Sequence, residues 1–371
     1  MHEWFESRID EKKLNPKFKF LLNFQYTSER ELLTSWIERF KIKDGVDKTI
    51  NQFQETFHSV FWEVYLNEVF SSLGYKTDEN VVSPDFCLLV NEGKIYIEAV
   101  VSNVADSEPK EAERTSDDVY GDNDHYKILD ESIVRLYNSF IQKHTEYVKN
   151  YSNTPCVKES PFVLAIGDYA QINYGQSFYY PLLALLYGAY YDKDDIREDL
   201  LILGEDDFGK EYKYLESHIK KNGAKLKVGL FDSSEYSHIS AVIYSCTTTL
   251  GKLSSLSEDH VPLEKFIVLT RQLESMEYDI SRYSKQQPDE NLYDGIFVYH
   301  NPHAAKKLPE EFMAIAGVTH VSFDESSEVV ISLQHDRKRG VLKRRQVSMK
   351  GVEDQFVKNF HDLVPMLVKR R

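Results

Sequence analysis

Asp85 and Glu98 are the two residues whose types and spacing best suit chemistry in this chain of 371. They lie in short apolar runs, Pro84-Asp85-Phe86-Cys87-Leu88-Leu89-Val90 and Ile95-Tyr96-Ile97-Glu98-Ala99-Val100-Val101, separated by Asn91-Glu92-Gly93. A tight-turn sequence between two such runs predicts a β-hairpin. With a loop of two or three residues, Asp85 falls opposite Glu98 or its neighbour Ala99. Directly opposed residues hold their Cβ atoms roughly 4.5–5.5 Å apart. Two carboxylates brought together inside an apolar hairpin are costly unless paired, hydrogen-bonded or bound to a cation. A hard divalent ion suits them, Mg²⁺ (or Mn²⁺) above all, since it takes one or two protein oxygens and keeps its waters.

Two further residues could complete the chemistry, and both depend on helices. Phe53, Phe57, Val60, Phe61, Val64 and Phe70 recur at helical spacing, which predicts a helix over residues 50–73 with Gly74 at its end. Glu63 lies in it between apolar neighbours. It either supports the metal site, directly or through a water, or faces solvent on a wet stripe. A second helix is expected over 128–151, where Leu136, Phe140 and Tyr147 form an apolar stripe with Lys143 inside it. Arg135, Asn138, Gln142, Thr145 and Lys149 occupy the polar face. Lys143 is thus the cation directed toward the sheet, either to serve the acids or to lay its stem along the core edge.

This order of elements resembles the PD-(D/E)xK, restriction-endonuclease-like nuclease superfamily over roughly residues 57–167. The matching residues are Trp62-Glu63-x-x-Leu66, Pro84-Asp85-Phe86 and Ile97-Glu98-Ala99. The resemblance implies a mixed sheet flanked by helices and a metal held by Asp85 and Glu98 with Glu63 in support. In that superfamily a lysine follows the second acid by two residues, and here that position is Val100. A lysine supplied from a neighbouring element would make Lys143 the replacement. The expected function is Mg²⁺-dependent hydrolysis of DNA phosphodiesters, with RNA left open, in restriction or another defence against foreign DNA. The alternative is an inactive nuclease-like binding or scaffold protein, which Val100 and the net charge of −15 favour.

The rest of the chain must position these residues. Strands are expected at 75–82, 85–90, 94–101, 161–165, 226–231, 239–246, 295–299 and 329–333, and helices also at 178–191, 263–285 and 352–367. Alternation of this kind defines an α/β class, here with an additional α+β C-terminal region. Residues 1–47 read as lead-in and 48–170 as the nuclease-like core, with an acidic insertion near 103–125. Residues 171–371 read as a mixed region for recognition or dimerisation. Charge is unevenly spread: residues 106–131 sum to −7 and residues 335–350 to +6. The basic island of Arg337, Lys338, Arg339, Lys343, Arg344 and Arg345 is either a solvated face or the place where a phosphate backbone docks.

Other classes are excluded by what the sequence lacks. There is no H-E-x-x-H, G-x-S-x-G or P-loop, which disfavours the corresponding hydrolases and NTPases. Cys87, Cys156 and Cys246 lie too far apart to suggest a disulfide framework or a cysteine zinc site. No apolar run approaches the ~18 residues of a membrane span. The first residues lack a basic region followed by an apolar stretch, so a cytoplasmic protein is expected. His300-Asn301-Pro302-His303 reads as a structural turn rather than a metal site.

Overall fold

A computed structural model describes residues 2–91, 93–105, 108–115, 118, 125–172, 174–175, 179–191, 212–220, 222–257, 265–271, 278–284, 290–323, 329–333 and 342–348. Helices α1 (Pro16–Leu22), α2 (Thr27–Arg39), α3 (Val46–Glu55) and α4 (His58–Ser72) come first. Strands β1 (Lys76–Thr77), β2 (Phe86–Val90) and β3 (Gly93–Asn103) follow. Helix α5 (His125–Glu146) continues into a wider turn at Tyr147–Tyr151, then come α6 (Pro155–Lys158) and β4 (Phe162–Tyr169). Next are α7 (Tyr180–Tyr187), β5 (Ala189–Tyr191), β6 (Tyr212–Tyr214), β7 (Ser217–Ile219) and β8 (Lys225–Lys227). The chain goes on through β9 (Ala241–Ser245), α8 (Leu250–Leu256), β10 (Lys265–Arg271) and β11 (Tyr278–Ser284). The last described strands are β12 (Ile296–His300), β13 (Val318–Phe323), β14 (Val329–Leu333) and β15 (Leu342–Ser348).

One mixed sheet of eight strands, in the order β1-β2-β3-β4-β9-β12-β13-β14, organises the described residues. Strands β3, β4 and β9 run parallel, and β2 is antiparallel to β3. Alternation along these strands fills two apolar layers. Ile95, Ile97, Ala99, Val163, Ala165 and Ile243 join the layer of α1 to α4 and α8. Tyr96, Phe162, Leu164, Ile166, Val242 and Tyr244 join the layer of α5 and α7. Helices on both faces bury β4 along its whole length. This is a mixed α/β architecture with a helix-flanked sheet. Its strands come from both sides of residue 170, so the segments 48–170 and 171–371 share one sheet. The first 47 residues do more than lead in, because Trp4, Phe5, Phe18, Leu21, Leu33 and Trp36 are buried in the α4 layer.

Several local expectations need correction. The helix expected over 50–73 is two helices, broken where Phe57 takes a φ of 51°. Phe57 stacks on Phe61 and meets Phe53, so aromatic packing holds a conformation that an ordinary helix position would not adopt. The strand expected over 75–82 shrinks to Lys76–Thr77. The helix expected over 178–191 stops at Gly188, whose left-handed φ of 62° ends it before β5. The helix expected over 263–285 is instead the antiparallel pair β10 and β11, with β15 on the other side of β10. The run Phe266-Ile267-Val268-Leu269 fits either state by pattern, and its β-branched content suits a central strand. The helix expected over 352–367 and the residues Arg337, Lys338 and Arg339 lie outside the described residues. Lys343, Arg344 and Arg345 occupy β15, in register with Thr270, Leu269 and Val268. No helix among the described residues is long and apolar enough to cross a membrane.

Candidate functional site

Hairpin register places the two acids. Strands β2 and β3 pair Val90 with Gly93 through Phe86 with Ile97, a register that continues to Asp85 across from Glu98. The Asp85 side chain is fixed by the next residue on β3, whose Ala99 amide donates to Oδ2 at 2.7 Å. Tyr96 and Val100, on the same face of β3 as Glu98, belong to the layer beneath α5. Val100 therefore packs where a lysine on this strand would have pointed.

Lys143 arrives from α5 instead. Its Nζ donates to Glu98 Oε1 at 2.7 Å and to Glu146 Oε2 at 2.8 Å. The lysine therefore reaches the acids rather than only lining the core edge. Glu98 Oε2 accepts from the Tyr151 hydroxyl at 3.1 Å, and that hydroxyl is 2.6 Å from Ser83 Oγ. Tyr151 lies two turns beyond Lys143, so the helical stripe that exposed Lys143 also pointed to Tyr151. Ser83 carried no sequence signal. A second ammonium, Lys43, donates to the Pro84 carbonyl at 2.9 Å beside Asp85. It sits in a non-helical segment whose residues show no periodic pattern, so no spacing singles it out.

Glu63 approaches from the other side. Helix α4 packs in the opposite layer, and Glu63 lines a cleft of about 390 Å³ together with Asp85, Lys43 and Asp44. Among the described residues no hydrogen bond or ion pair reaches the Glu63 carboxylate. Nor do three His, Cys, Asp or Glu side chains gather closely enough among them to hold an ion. The structure thus pairs Asp85 with Glu98 and sets Glu63 beside Asp85 across the cleft, without closing a ring of three acids. The sheet between Glu63 and Glu98 is the reason.

Electrostatics mark this as a strained collection of acids. Burial, and then the Asp85 charge, push the Glu63 carboxyl up to about 8. Burial and the Glu98 charge push Asp85 up to about 7, against the pull of the Ala99 hydrogen bond. Burial lowers Lys43, with Asp85 opposing the shift. Burial also works against the Lys143 ammonium, but Glu98 and Glu146 outweigh it and hold its pKa above the ordinary lysine value. The Tyr151 hydroxyl is pushed up to about 12 by burial, so it stays a donor to Glu98.

The cluster leaves carboxylate oxygens unused. Asp85 Oδ1 and the Glu63 carboxylate have no hydrogen-bond partner among the described residues, and both groups resist ionisation as they stand. A cation would relieve that repulsion. The remaining expectations are placed as follows. Asn301 donates to the Tyr236 and Ile239 carbonyls, and its Oδ1 accepts from the His303 amide, which makes residues 300–303 a braced turn. His300 pairs with His320 at 2.9 Å. Comparison of the chain with protein-family models, curated proteins and solved structures gives no match.

Proposed function

We propose that the protein is a metal-dependent nuclease acting on DNA, built on a restriction-endonuclease-like core. The observation that carries the reading is the Lys143 ammonium 2.7 Å from Glu98, on the hairpin partner of Asp85. A pure scaffold has little use for converging buried acids with a lysine aimed at them.

Asp85 and Glu98 would hold Mg²⁺ or Mn²⁺, with Glu63 in support. Bound there, the ion supplies Lewis-acid polarisation of a phosphodiester and acidifies water. Lys143 stays protonated and offers positive charge where negative charge develops on the phosphoryl oxygens. Tyr151 and Ser83 hold the Glu98 carboxylate in one orientation. Lys43 adds a second cation lining the cleft beside Asp85. The basic residues Arg337, Lys338, Arg339, Lys343, Arg344 and Arg345 would add contacts to the phosphate backbone, and a dimer would place two such centres on one duplex.

A second reading, an inactive nuclease-like binding protein, rests on Val100 and on Glu98 having both oxygens already occupied by Lys143 and Tyr151. Cleavage assays separate the two. The protein is incubated with plasmid, single-stranded DNA and RNA, with Mg²⁺, with Mn²⁺ and with chelator. The nuclease reading expects metal-dependent cleavage of at least one DNA substrate. Intact substrates under every condition favour the inactive reading.

A further inference from the structure

The cleft beside Asp85 has room for more than an ion. Its volume is about 390 Å³, within the roughly 300–1,000 Å³ of sites that take organic ligands. Residues 39–44, α3, α4 and residues 75–86 all contribute to its lining. The Lys41–Glu79 ion pair, at 2.5 Å, ties the first of these stretches to the last. Part of the lining is apolar and uncovered: Val82 is 72% exposed, and Phe40 and Ile42 are half-buried. Gln52, exposed on α3, adds a side-chain amide that has no hydrogen-bond partner among the described residues.

Charge restricts what could enter. Arg39, Lys41 and Lys43 line the cleft together with Asp44, Glu63, Glu79 and Asp85. Arg39 is taken by Glu68 at 2.8 Å, and Lys41 by Glu79. The lining therefore has no surplus of positive charge to hold a polyanion by its phosphates, the contact on which non-specific duplex binding rests. Size excludes a duplex as well, since its major groove alone is roughly 12 Å wide. An unpaired nucleotide brings what suits this lining: a flat face to cover the apolar side chains, and an edge for an amide to bond.

We infer that the cleft receives one unpaired nucleotide of a DNA strand, its base against Phe40, Ile42 and Val82, its edge at Gln52 and its phosphodiester beside Asp85. The substrate class is then single-stranded DNA, or duplex DNA that contains unpaired nucleotides. The inference rests on the nuclease reading and deepens it. A fully paired duplex must first unstack and unpair a nucleotide to place it there, and that cost makes it the poorer substrate.

Cleavage with Mg²⁺ is compared on one labelled sequence as a single strand, as a blunt duplex and as a duplex with an unpaired bulge. The single strand should be cut about tenfold faster or more than the blunt duplex, and the bulged duplex should be cut at its bulge. Fluorescence anisotropy with Ca²⁺, on probes shown intact afterwards, gives a readout apart from cleavage. The single strand should bind about tenfold tighter or more than the duplex. Val82→Asn should weaken binding of the single strand several-fold, leave duplex binding unchanged and melt like the wild type. Equal cleavage of single strand and duplex overturns the inference and leaves the nuclease reading standing. No cleavage of any substrate counts against the nuclease reading, and the anisotropy then decides the cleft alone. Equal affinities, or a Val82→Asn protein that binds the single strand like the wild type, overturn the inference. Displacement of the strand by an equal concentration of free 5′-mononucleotide also overturns it, and assigns the cleft to a soluble nucleotide.

Discussion

Helix α4 presents buried charge of opposite sense at two points along its length. Around Glu63 acids predominate: Glu63 and Asp85 are pushed up to about 8 and about 7, and neither carboxylate has its full set of partners. Around His58 the cations Lys17 and Arg114 gather at Glu111, which is held well below its ordinary value. At the first cluster the cations Lys143 and Lys43 stand beside Glu98 and Asp85 but not against Glu63, and at the second Glu111 is met by several donors at once. Desolvation is common to both, so the sign of the neighbouring charges makes the difference.

Removing Asp85 should separate the two clusters most sharply. On the proposed reading, Asp85→Ala is expected to abolish Mg²⁺ or Mn²⁺ binding in calorimetry while leaving the fold intact. Without metal the variant should melt no lower than the wild type, because a buried repulsion has gone. Equal metal binding by the two proteins would break the comparison at its acidic end.

A smaller effect should follow pH. The native Glu63 carboxyl keeps its proton up to about pH 8, whereas the unfolded chain releases it near the ordinary value of 4.5. Between those values the native state binds more protons than the unfolded state, so this group makes stability fall as pH rises. Glu63→Gln removes that slope. Denaturant melts should show the variant and wild type alike near pH 4 and the variant more stable at pH 8. A wild type whose margin over the variant grows with pH would reverse the sign of the argument.

How much of this was legible in the sequence follows from how local each feature is. The Asp85–Glu98 hairpin is local: a turn of two residues and alternating β-branched neighbours set its register within fourteen residues. Lys143 was legible because helical spacing fixes which side chains share a face, and Leu136, Phe140 and Tyr147 mark that face. Glu63 was visible as a candidate, but not that a sheet would divide it from Glu98. The break at Phe57 was not legible because Phe53, Phe57 and Phe61 keep the four-residue spacing of one continuous helix through it. The Lys17, His58, Glu111, Arg114, Tyr169 and Tyr174 cluster draws on distant segments without shared periodicity. Its acidic member was hidden in a stretch whose net charge reads as solvated. Residues 263–285 failed for a different reason, since a short apolar run does not distinguish a buried helix from a central strand.

Single-turnover cleavage by the wild type, Lys143→Ala and Lys149→Ala tests the central claim most directly. On the proposed reading Lys143 acts on charge that develops in the chemical step, so its loss should lower the rate by about 10²-fold or more, roughly 2.7 kcal/mol of transition-state stabilisation. DNA affinity should hardly change, and Lys149→Ala, on the polar face of the same helical stretch, should cleave like the wild type. A Lys143→Ala protein that cleaves at the wild-type rate would contradict the assignment of Lys143. A wild type that cleaves no DNA with Mg²⁺ or Mn²⁺ would contradict the hydrolytic centre itself.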